Sequence, residues 1–168
     1  MLTNLEMIAE LEQEAVPTRR VLERIPEDRL DWRPHPKSLS LGQLAFHVAT
    51  LPAALANVAT MARFERGFII PRPAVQDRAD LLGQFEQSLV VARKILGQRD
   101  EASLASSWTM YDGERVVLTV PRRAFLRTIL FNHWYHHRGQ LTVYLRQLDV
   151  PVPAIYGDSA DEAQGLPN

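Results

Sequence analysis

Cysteine is absent from this 168-residue chain, which excludes disulfide frameworks, thiolate-ligated zinc, iron–sulfur clusters and cysteine nucleophiles in one step. An excess of either charge is also missing. Nineteen Lys and Arg stand against twenty Asp and Glu, a formal charge of −1, so nothing electrostatic favours nucleic acid or anionic lipid. No apolar run approaches the roughly 20 residues that cross a bilayer. The N-terminal stretch MLTNLEMIAELEQEA carries acids where a secretion signal carries a basic end, and this leads to an expectation of a cytoplasmic protein. Five histidines and a 46% hydrophobic content are what remain to be explained. A single domain of this length buries an adequate core without staples.

Apolar residues recur at helical spacing between proline- and glycine-rich breaks. Leu5, Ile8, Leu11, Ala15, Leu22 and Ile25 predict a first helix over residues 3–24, bent near Pro17. Ser40 with Gln43 forms a capping-box pattern for a second helix over 40–64, kinked at Pro52. Leu81, Phe85, Leu89, Ala92 and Leu96 mark a third over 77–97, and Pro121 opens a fourth over 121–148. The segment 71–75 (PRPAV) is a break, and 149–168 reads as an extended tail. In SWTMYDGERVVLTV, β-branched and aromatic residues flank Asp112-Gly113, which predicts a type I′ hairpin or an extended insertion between the third and fourth helices. The expected fold is all-α, a four-helix bundle with that short insertion.

On a uniform fourth helix, His133 and His137 lie about 40° apart within the apolar stripe of Leu126, Leu130, Leu141 and Tyr144. One turn of separation lets both imidazoles reach one ion. His47 sits in the same way among Leu44, Leu51 and Val58 on the second helix. Spacing alone leaves two readings open: three core histidines satisfied by hydrogen bonds, or three ligands of one cation. His136 falls at the flank of the stripe, and Gln140 and Tyr144 lie on its site side. These three are the candidate catalytic residues. Arg138 points away, toward an acidic partner. His35 belongs to a proline-flanked loop, and Gly139 suggests a close approach between helices.

The run HWYHHRGQLTVYLRQLDVP resembles the HxxxHRGQ signature of DinB-like, DNA-damage-inducible bundle proteins, a group that includes YfiT-like thiol-dependent transferases. DWRPHPKSLSLGQLAFHV and VPVPAIYGDSADE are similar to two further stretches of that family. The resemblance implies a divalent metal, with Zn, Ni and Fe all suited, held by His47, His133 and His137. It also implies a stress-response protein, a homodimer, and transfer or addition of a low-molecular-weight thiol to a small-molecule substrate. Hydrolysis, or binding without turnover, are the competing expectations. DNA binding is not implied.

Overall fold

The computed structural model describes residues 3–67, 75 and 77–162. Helix α1 (Asn4–Leu22) starts at Thr3, whose hydroxyl accepts from the Glu6 amide while Glu6 reaches back, a complete capping box. After a 3₁₀ turn at Glu27–Arg29, α2 (Leu41–Val58) opens on the expected Ser40/Gln43 box. It ends six residues earlier than periodicity suggests, because Phe64–Glu65 forms a strand, β1. Asp77 caps α3 (Arg78–Gly97). A five-residue helix that the sequence did not announce, α4 (Glu101–Ala105), leads into strands β2 (Ser107–Asp112) and β3 (Arg115–Pro121). The fourth predicted helix is continuous in space but changes its hydrogen bonding. It comprises α5 (Arg122–Phe125), a π-helical segment (Leu126–Asn132) and α6 (His133–Gln147).

α1 packs on α3 and α6, and α2 packs on the same two helices, so the four form a ring around one core. That arrangement is the expected bundle. α2 is long and apolar enough to cross a membrane by length and composition, yet two thirds of its window is buried inside the protein (67%); here it is the core helix. The insertion is a three-stranded sheet of order β1-β2-β3, with β1 parallel and β3 antiparallel to β2. Two of its details correct the sequence reading. Asp112 pairs with Arg115, so Gly113 and Glu114 form the turn. Gly113 has φ +60°, whereas among described non-glycine residues only Asp149 is positive. One positive φ at the first turn position is the II′ pattern, not I′. A bulge beside Met110/Tyr111 then displaces the register.

The prolines inside helices do more than bend them. Pro52 has no amide to give the carbonyl of Val48, and the indole N–H of Trp134 on α6 donates to that carbonyl at 2.9 Å. The next amide, Ala53, donates to Ser88 Oγ on α3 at 3.0 Å. Past the ring of Pro17, the carbonyl of Glu14 takes Thr18 Oγ1 at 2.7 Å and Arg138 Nη1 at 3.1 Å. Each proline-bearing helix thus offers a main-chain acceptor to α6.

The tail runs without regular structure to Ala154, then bends and turns back so that Asp161 accepts from the Val152 amide at 2.8 Å, with Val152 and Ile155 against the core. Residues 163–168 of the tail and most of the 71–75 break lie outside the described residues. Gly139 is exposed, and a methyl group there would meet nothing within 4 Å, so it marks no close approach. The close approach is at Gly42, where a Cβ would lie 3.2 Å from the carbonyl of Leu30.

Urea denaturation should therefore find Gly139→Ala more stable, by about 0.5–1 kcal/mol, since alanine costs less entropy in a helix interior. Trp134→Phe should lose about 1–3 kcal/mol, because it strands the Val48 carbonyl in the core.

Candidate metal centre

Three imidazoles meet where α2 faces α6. His47 is buried at 2% exposure, and His133 and His137 are half-buried. Ring centroids are 5.5 Å apart for His47–His133, 4.6 Å for His47–His137 and 4.5 Å for His133–His137. One nitrogen from each lies within 4.8 Å of the other two. His133 and His137 turn their Nε2 atoms toward each other at 2.6 Å. The rotation of α6 that produces this follows from Trp134, locked between its neighbours by the Val48 carbonyl. His133 and His137 lie one residue before and three after it on the adjoining face.

The outer nitrogen of His137 is also fixed. Nδ1 donates to the Gln140 Oε1 at 2.6 Å, which leaves the Nε2 of a neutral ring with its lone pair directed at the cluster. A hydrogen bond on the far nitrogen that selects tautomer and ring orientation is the usual support of a metal-bound histidine. The donor set is uniform: three neutral, borderline ligands from two rigid helices, at one-turn spacing on α6. Such a set fits a divalent transition ion and leaves room for an exogenous ligand.

The other candidates divide. Gln140 is exposed and bonded to His137, so it orients that ring. His136 is exposed at the rim, its ring 5.0 Å from that of His137. Tyr144 is drawn away from proton transfer: its hydroxyl donates to the Leu39 carbonyl at 3.3 Å, and its ring packs edge-to-face on Trp32. Here it braces the loop before α2. His35 lies in that loop, where its Nδ1 accepts from the Lys37 amide, a turn-forming role.

The opposite face of α6 is held by charge, in contacts that sequence reasoning largely missed. Arg138 does find its expected acid, pairing with Glu14 at 2.7 Å; both are buried, and Thr18 and Tyr156 complete the network. Glu10 was not anticipated. It accepts from Arg127 as a two-pronged pair and from the Tyr135 hydroxyl at 2.7 Å. The one available signal was an acid recurring every turn of α1, at Glu6, Glu10 and Glu14. Partial burial pushes the Glu10 carboxyl upward, but the bonds from Arg127 and Tyr135 outweigh it and hold the group below its ordinary value. Burial, and then the bond to Glu10, raises the Tyr135 phenol.

Comparison with known proteins places this geometry in context. The DinB family model matches residues 1–166. Uncharacterized protein YrdA of Bacillus subtilis is 28% identical over 156 residues, 90% of this chain and 86% of that protein. A DinB-like protein from Bacillus cereus superposes with a TM-score of 0.71 at 23% identity, covering 90% of this chain and 96% of that one. A second, YjoA from Bacillus subtilis, gives 0.65 at 22%, covering 87% and 95%. At these identities the two structures speak for the fold.

Because the Glu10 carboxyl is held below its unfolded value, its contribution to stability is complete above the ordinary carboxylate range. It is lost as pH falls through the lowered folded value. Denaturation followed from pH 7 to pH 3 should show Glu10→Gln less stable at neutrality and with a shallower acid decline; parallel curves would contradict this assignment.

Proposed function

The chain belongs to the DinB family, and from that premise and the triad we propose that His47, His133 and His137 hold a divalent ion in a metal-dependent transferase. Its co-substrate would be a low-molecular-weight thiol. The observation that carries this reading is the convergence of three imidazole nitrogens from two helices within 4.8 Å. When bound, such an ion supplies Lewis acidity that lowers the pKa of a coordinated water or thiol. Zn, Ni and Fe are all compatible with the donors. Because the chain has no cysteine, any thiol must come from outside.

The protein's own residues bind and orient. Gln140 holds the proton on His137 Nδ1 and so keeps Nε2 available. Trp134 and Arg138 clamp α6 from two sides so that its histidines face His47. His136, exposed beside the triad, is the side chain placed to meet a small-molecule substrate at the rim. A second reading draws on the engagement of Tyr144 and Gln140, which among the described residues leaves no buried acid or base beside the triad beyond the triad itself. It is a metal- or small-ligand-binding stress protein without turnover, with a hydrolase as the remaining catalytic alternative. A cytoplasmic homodimer belongs to the same proposal.

Titration of the metal-free protein with Zn²⁺ and with Ni²⁺, followed by calorimetry and melting temperature, should show one tight site per chain and a rise in melting temperature. His47→Ala and His137→Ala should abolish both signals, and His35→Ala neither. Gln140→Leu should weaken affinity by about 10–100-fold. Binding should fade below about pH 6.5, where imidazole protonates. Unchanged binding in the His47 and His137 variants would end the metal reading. Screening the loaded protein for conjugation of cellular thiols to electrophiles then separates transferase from binder.

A further inference from the structure

The outer seam between α1 and α3 leaves apolar surface uncovered. The two helices run antiparallel there, tied at one end by Arg93 and Glu12 at 2.8 Å and at the other by Glu86 and Arg19, which also reaches Glu23. Between the two pairs lies a hollow of about 250 Å³. Ala15 and the core residues Phe85 and Leu89 line it, and Val16 forms part of its wall. Val16 is nonetheless 62% exposed, and Val90, the residue after Leu89, is 53% exposed. Each valine stands between an acid and a base of its own helix, Glu12 and Arg19 on α1, Glu86 and Arg93 on α3. Water over apolar walls is released at a gain when another apolar surface takes its place.

The charges identify that other surface. Seen face on, the four alternate in sign at the corners of a rectangle, Glu12 beside Arg93 at one end and Arg19 beside Glu86 at the other. Its long edge is two helical turns, about 10 Å. All four side chains are partly exposed, so each has room to reach a second acceptor or donor. Such a checkerboard complements its own copy. A two-fold axis lying in the face and across the helices sets Glu12 opposite the partner's Arg19 and Glu86 opposite the partner's Arg93. An axis along the helices sets Glu12 opposite the partner's Arg93 and Arg19 opposite the partner's Glu86. A two-fold interface between identical chains requires a patch that is self-complementary in this sense. We propose that this face docks a second copy of the chain, with Val16 and Val90 at its centre and the hollow receiving an apolar side chain. The dimer is the one proposed above, on which this surface depends. Apolar contact supplies its affinity, and the charges choose its register. The triad lies between α2 and α6, so each copy keeps its own three histidines.

The test is sedimentation velocity of the full chain over a wide range of concentration, with paired charge variants. The parent should show a reversible monomer–dimer equilibrium. Val16→Lys should weaken it about 30-fold, the effect of a contact near the centre of an interface. Arg19→Glu with Arg93→Glu leaves four acids on the face, and Glu12→Arg with Glu86→Arg leaves four bases. Each doubly substituted chain should be monomeric alone, and an equimolar mixture should recover a heterodimer. That recovery also shows that both variants are folded. The rival apolar surface is the outer edge of β3, where Val116, Val117 and Leu118 are exposed. Leu118→Lys should dimerise like the parent. A dimer unchanged by Val16→Lys, one lost instead in Leu118→Lys, or a mixture that stays monomeric would overturn this surface and leave the homodimer standing. A parent chain that is monomeric at every concentration would overturn both.

Discussion

A carbonyl that its own helix cannot satisfy fixes the geometry of the site. Pro52 withholds an amide from the carbonyl of Val48, a residue fully buried in the core. The Trp134 indole fills that vacancy, and in doing so sets how far along α2 and at what rotation α6 docks. His47, on the residue before Val48, then faces His133, on the residue before Trp134. The contact between the histidine-bearing helices is thus keyed through the main chain. Leucine packing alone tolerates sliding and rotation more readily than a buried hydrogen bond does.

The far side of α6 repeats the logic with charge. On α1, Glu14 presents both its carbonyl and its carboxylate to Arg138. One turn earlier the Glu10 carboxylate holds Arg127 and Tyr135. A buried ion pair adds little net stability over a hydrophobic pair of equal volume, but breaking it is expensive. Its effect here is to make one rotation of α6 much better than its neighbours. Apolar burial supplies the cohesion of the bundle; the polar contacts choose its register.

Much of this was legible in the residues. The capping box at Ser40, the stripes of α1, α2 and α3, and the hairpin between α3 and α5 all follow from local patterns. The convergence of His47, His133 and His137 followed from shared apolar stripes once a bundle was assumed. What escaped depends on partners distant in sequence. Strand β1 is two residues long and exists because β2 lies beside it, and α4 is too short to show a period. Nothing local marks the role of Trp134, since its acceptor is made available by a proline 82 positions earlier. Gly139 was misread because a helical glycine carries no sign of which neighbour, if any, it faces.

The π-helical segment escaped for a similar reason, since its side chains differ little from those of an α-helix. Each of its turns closes over one residue more than an α-turn does, so side chains on either side of it follow different angular schedules. Upstream, Phe125 stacks on Trp108 at 4.0 Å and belongs to the inserted sheet. Downstream, His133 and Trp134 belong to the bundle. A rigid α-helix would force one phase on both. The wider turns act as a slip joint instead: the sheet can be seated, lengthened or exchanged on its own terms, and the histidines keep their aim.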